Sequence, residues 1–195
     1  MHEIKDGMGS GLKLQIDEDH RARTLALALP EIALLSDQKS AVYTAILDFA
    51  SVNNNTFVVG TVKNLDPEKR LVILGIELQA LDYAGGTTVP AAASYWEVTR
   101  GEIWQSGGTA VTPEGVREGA QAPLVEIYDN NPTMSGTEHV LWKRYLGAVE
   151  GQIERPPLEP GLVLERGQAA TVKITSDHTS GVAQAVVTFA MRKPL

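Results

Sequence analysis

The chain of 195 residues contains no cysteine, which excludes a disulfide framework, a thiolate metal site and a thiol nucleophile together. Aromatic residues are scarce, at 6%, so a core must be built mainly from aliphatic side chains. Basic residues are outnumbered, 17 against 24 acidic ones, and the formal net charge is −7. Affinity for nucleic acid comes from clustered Lys and Arg neutralising phosphates, and that role is disfavoured. No apolar run approaches the roughly 20 residues that span a bilayer, and the N-terminus lacks the basic and then apolar segments of a secretory signal. A soluble protein made in a cytoplasm is the expectation.

Reaction motifs are missing as well. There is neither a G-x-S-x-G elbow nor a G-x-x-x-x-G-K-[ST] loop, and the pairs Gly85-Gly86 and Gly107-Gly108 precede no helix start. The four histidines, His2, His20, His139 and His178, stand singly, without the i, i+2 or i, i+4 spacing that converges ligands on a metal. Asp17-Glu18-Asp19-His20 concentrates carboxylates but lacks the order of a calcium loop, and reads as a solvated turn. Lys143, Arg144, Arg155 and Arg166 form at most a small basic spot, better used in an inter-subunit ion pair. No enzyme, metal or cofactor is expected. A glycosidase would need two converging carboxylates, which spacing cannot exclude. Tyr95, Trp96, Trp104, Trp142 and Tyr145 lie in strand-like runs, where core packing explains them more simply than a sugar platform.

What is present is a β-rhythm. Leu12, Leu14 and Ile16 alternate with Lys13, Gln15 and Asp17, a short strand, after an N-terminal stretch 1–11 that reads as a polar arm. The stretch around Leu25, Leu27 and Leu29 fits strand or helix and ends at Pro30. From residue 41 the alternation of Tyr43, Ala45, Leu47 and Phe49 against Val42, Thr44, Ile46 and Asp48 predicts a strand, with helix as a competitor. Asn53-Asn54-Asn55 then supplies turn chemistry, and TFVVGTVKN completes an expected hairpin. After the turn Asn64-Leu65-Asp66-Pro67, RLVILGIELQA is apolar on both faces and reads as a central strand. SYWEVTRGEIW and LVEIYD are further strands, separated by a Gly- and Pro-rich stretch, 105–123, expected to be a loop serving contacts. A loop over 130–136 precedes the strand HVLWKRYLGAV, and the Pro-rich segment 154–161 breaks the chain again. Gly167 marks a turn inside LVLERGQAATVKITS, and GVAQAVVTFAMRK closes the chain with Val182, Gln184, Val186, Thr188 and Ala190 alternating against Ala183, Ala185, Val187 and Phe189.

Eight to ten such strands predict an all-β fold, an antiparallel two-sheet β-sandwich, with a jelly roll favoured over an immunoglobulin-like topology. The arm and first strand occupy 1–24 and the sandwich 25–195. The pieces LKLQIDEDHRARTLA, FVVGTVKNLDPEKRLVILGIEL, GGTAVTP and LEPGLVLERGQAATVKITS, in that order, resemble tailed-bacteriophage virion proteins. In those, a V-D-x-x-x-R-L entry precedes a sandwich with a K-N-x-D-P hairpin, a G-G-T-x-V-x-P loop and a P-G-x-x-L-x-x-x-G strand pair. The entry departs from that pattern, since Ala22 stands where a leucine would follow Arg21.

The resemblance implies a structural component on the capsid exterior of a virion, with no catalytic residue. A decoration or cement protein is favoured, binding the major capsid protein and itself as a homotrimer; tail, neck, baseplate or fibre components with a receptor- or carbohydrate-binding role are the rivals. The expected contact residues are Met1, His2, Ile4 and Met8 in the arm and Trp104, Thr112, Pro113 and Arg117 in and before the long loop.

Overall fold

The computed structural model describes residues 2–5, 13–16, 22–24, 42–49, 55–81, 94–116, 119–145, 153–158, 161–176 and 181–193. It divides into two compact units, Met1–Leu34 and Leu35–Leu195. The first unit carries a three-stranded antiparallel meander, β1 (His2–Lys5), β2 (Lys13–Ile16) and β3 (Ala22–Thr24). His2 pairs with Ile16 and Lys5 with Lys13, so part of the segment expected as an arm is a strand. Four residues are too few to display a period, and pairing with β2 supplies what local pattern does not.

The second unit is a sandwich of two antiparallel sheets, and no described residue is helical. Its strands are β4 (Val42–Phe49), β5 (Asn55–Asn64), β6 (Arg70–Leu81), β7 (Tyr95–Ser106), β8 (Thr109–Ala110), β9 (Glu114–Gly115), β10 (Val125–Asp129), β11 (Thr133–Tyr145), β12 (Leu162–Leu164), β13 (Ala169–Ser176) and β14 (Val182–Arg192). One sheet runs β11-β7-β13-β5-β10-β8 and the other β12-β6-β14-β4-β9. The alternation in β4 decides against helix: Tyr43, Ala45, Leu47 and Phe49 are all buried, whereas Ile46 is 51% exposed. β6 is hydrogen-bonded on both sides, by β12 and β14, as its continuous apolar run requires. Ala183, Ala185, Val187 and Phe189 of β14 point into the same core. Trp96, Phe189 and Ile174 are fully buried between the sheets, and Phe49 stacks on Phe57 at 4.8 Å to join one sheet to the other.

The expected β4–β5 hairpin is instead a crossing between sheets, and so are the turns at Asn64 and Gly167. β4 and β5, β5 and β6, and β12 and β13 each lie in different sheets. Turn residues reverse the chain, but they do not fix whether it returns beside its own strand or across the core. The Asn64 corner shows the device. Its side-chain amide, fully buried, donates to Lys69 O at 2.8 Å and Leu164 O at 2.9 Å, and its oxygen accepts from Asp66 N at 2.9 Å. Asp66 in turn caps Glu68 N and Lys69 N. The corner is thus stitched to β12 of the opposite sheet rather than closed as a ladder.

The stretch 105–123 is likewise not a free loop. β8 extends the six-stranded sheet beside β10, and β9 extends the other beside β4. Val111 N donates to Ile127 O, Val116 N to Val42 O and the Tyr43 hydroxyl to Gln121 O, so this strap closes one flank of the sandwich and covers two sheet edges. Burial pushes the Tyr43 phenol pKa up, which keeps it a neutral donor. β11 begins at Thr133, inside the expected loop; the turn itself is Asn130 and Asn131, with φ of 57° and 58°. Asparagine tolerates that left-handed geometry.

Candidate interaction surface

The outer face of the six-stranded sheet carries a layer of polar and charged side chains. Tyr95, Glu97 and Thr99 of β7 pair across to Thr175, Lys173 and Thr171 of β13, and Thr171 pairs onward to Thr61 of β5. These threonines point away from the core, yet Thr61, Thr99 and Thr171 are at most 1% exposed. The cover is the far half of the β7–β11 ribbon. Neighbouring strands lie about 4.8 Å apart, so β7 and β10, three steps apart, would stand about 14 Å from one another in a flat sheet. Yet Trp104 of β7 stacks on Tyr128 of β10 with ring centres 4.1 Å apart and planes within 7°. The ribbon therefore folds over the sheet.

Its bend lies at Gly101 and Gly136, with φ of 96° and 109°, where the β7–β11 register also shifts. A Cβ on Gly101 would stand 2.4 Å from Thr137 O, so glycine is required there. Under the fold, Lys173 is gripped between Glu102 at 2.7 Å and Glu138 at 2.8 Å, one carboxylate from each strand of the ribbon. Burial works to lower the Lys173 pKa, but hydrogen bonds and attraction from both glutamates outweigh it and hold the ammonium above its usual range. Thr99 donates a further bond to Glu102. Trp104 Nε1 donates to Gly107 O at 2.8 Å.

At the open flank, Arg144 of β11 reaches Glu154, whose backbone bridges to Leu78 of the opposite sheet. Lys143 pairs with Glu97 and Arg155 with Glu77, so three of the four cations expected to serve another subunit are paired within the chain. Aromatic placement splits in the same way. Trp96 is core and Trp142 packs against it, whereas Tyr95, Trp104 and Tyr145 belong to the outer face. Tyr145 is 57% exposed and meets Tyr95 edge-on at 5.6 Å, with the Lys143 ammonium 3.3 Å above the Tyr95 ring.

Of the expected contact residues, Trp104 is half-buried in the ribbon, while Thr112 and Pro113 lie in the strap between β8 and β9. His2 and Ile4 are in β1; Met1, Met8 and Arg117 fall outside the described residues. So do His20, His178, the Gly85-Gly86 loop and the stretch from Leu25 through Pro30. Among the described residues no three His, Asp or Glu side chains converge to hold a metal ion, and no helix is long and apolar enough to cross a membrane. Sequence reasoning missed the Lys173 clamp and the Arg100 pocket taken up below; Lys173 and Glu138 are 35 residues apart, and Arg100 and His139 come from different strands that meet only across the β7–β11 ladder. No protein-family model matches the chain, and no curated protein is similar to it in sequence.

Proposed function

We propose that this chain is a structural virion protein, a capsid decoration protein that stabilises the phage head by bridging neighbouring subunits of the major capsid protein. The observation that carries this reading is the division of labour between a separate N-terminal strand unit, Met1–Leu34, and a sandwich locked by the strap, the ribbon and the Arg144–Glu154 clasp. A rigid body with a second attachment unit spreads contacts over several neighbours, and repeated copies add avidity. The sandwich rim is dotted with exposed apolar side chains, among them Val116, Leu124 and Val140, which suit burial in such contacts. Consecutive strands β4, β5, β6 and β7 alternate between sheets, and the cores β4-β14-β6-β12 and β5-β13-β7-β11 have the order of two interlocked Greek keys. That order supports a jelly roll, an architecture shared by viral capsid and lectin domains and silent on function by itself.

Light scattering of the purified chain, alone and mixed with capsids lacking it, tests the reading. A trimer that fills the empty sites stoichiometrically supports decoration, and a chain that ignores capsids removes it. A second reading, a tail or fibre module that binds a receptor glycan, is favoured by the exposed Tyr145 ring, which rests edge-on against half-buried Tyr95. Binding to a glycan array that is lost in Tyr145→Ala would establish that alternative.

A further inference from the structure

Where the ribbon bends away, the mouth between the two sheets opens into a pocket of about 340 Å³, lined by Arg100, Gly101, Ile103, His139, Leu164, Gly167, Gln168 and Ala169. Arg100 and His139 are register partners across β7 and β11, which sets two nitrogen-bearing side chains side by side on one wall. Arg100 pairs on its other side with Ala170, and Ala169 follows the turn into β13, so small residues stand beside Arg100 along the pocket. Leu164, 1% exposed, and Ile103, 42% exposed, supply an apolar floor and wall.

The cations of the molecule divide into paired and unpaired ones. Lys63, Arg70, Lys143, Arg144, Arg155 and Lys173 each have a carboxylate partner. Among the described residues Arg100 has none, as is true of Lys69, Arg166 and Lys193, and of these four Arg100 is the one that lines the pocket. The acids nearest to it in sequence and across the turn are taken: Glu102 and Glu97 hold Lys173 and Lys143, and Glu165 holds Arg70. In a chain of net charge −7, an arginine left unpaired at the mouth of an apolar-floored pocket offers its N–H donors to an anion from outside.

We infer that the Arg100–His139 pocket binds a small organic carboxylate, its acid group held by the Arg100 guanidinium and its short apolar part lying against Ile103 and Leu164. The guanidinium fork matches a carboxylate with two parallel hydrogen bonds, and the volume is at the lower end of the range for small-molecule sites, about 300–1,000 Å³. The apolar floor selects a carboxylate with a hydrocarbon portion over a bare inorganic anion. This inference does not depend on the virion reading.

Titration calorimetry of the full chain with 4-methylpentanoate tests it, with 4-methylpentanol and inorganic phosphate as comparison probes. The expected result is saturable binding of the carboxylate, at least about ten-fold tighter than the alcohol, because a hydrogen bond to a charged group is lost with the acid. Arg100→Gln should weaken the carboxylate about ten-fold or more and leave the alcohol unchanged, and its melting temperature should match the parent because Arg100 is exposed. Ile103→Ser should weaken the carboxylate several-fold without altering phosphate. Absence of saturable carboxylate binding, equal affinity for the alcohol, tighter binding of phosphate, or full binding by a folded Arg100→Gln variant would each overturn the assignment.

Discussion

Lys173 is the residue on which the outer layer turns. It is 8% exposed and joins two glutamates that come from different strands of the ribbon. Removing one partner of a buried pair strands the other charge, so Lys173→Met should destabilise the fold by about 3 kcal/mol in urea titrations. Adding Glu102→Gln should restore a good part of that loss, because the stranded charge goes with it. The pH dependence follows from the raised lysine pKa. Stabilisation is complete below the ordinary value of 10.5 and is lost as pH rises through the higher folded value, so melting temperature should fall above about pH 10.5 in the parent and less in Lys173→Met.

Asp129 works in the other direction. Burial and the neighbouring Asp48 raise its pKa despite the hydrogen bond it accepts from Asp48 N. The folded state therefore binds its proton more readily than the unfolded chain, and this one group favours folding as pH falls towards 3.8. Asp129→Asn keeps an acceptor and removes the repulsion, and should raise the melting temperature at pH 7. Neither site was legible beforehand. Lys173 reads as one polar member of an alternating strand, and its partners Glu102 and Glu138 come from separate runs of sequence.

At the scale of elements, strands were legible and their partners were not. Alternation in β4 and β14 and the apolar run of β6 follow from side chains facing one core, a local rule with period two. Which sheet a strand joins depends on corners such as Asn64, whose bonds to Lys69 and Leu164 span 5 and 100 residues. Asn64→Ala leaves buried carbonyl groups without donors, and a loss of about 2–4 kcal/mol is expected by chemical denaturation. The folded-over ribbon was signalled only by Gly101, an isolated glycine within a strand pattern. Gly101→Ala forces a Cβ against Thr137 O at a positive φ, and should straighten the bend. Its signature is a shifted Trp104 indole resonance by NMR, as the ring leaves Tyr128; an unshifted resonance would show that the bend does not need glycine.

At the scale of the whole molecule, composition pointed to a β-rich body without thiol chemistry, and the structure is a sandwich of two antiparallel sheets. The small sheet in Met1–Leu34 was half visible: Leu12, Leu14 and Ile16 marked β2, while β1 and β3 are too short to carry a period of their own. The proposed role follows from how the body is braced. Edges are covered by the strap on one flank and clasped by Arg144 and Glu154 on the other, which opposes opening of the sheets. Bridging adds interface area to a shell under pressure, and a standard interface buries about 1,200–2,000 Å². The most direct measurement is the temperature at which DNA-filled heads release their DNA, with and without this chain bound at saturation. The decoration account predicts a higher release temperature for occupied heads, reversed when the chain is stripped and restored when it is added back. Equal release temperatures at full occupancy would contradict it.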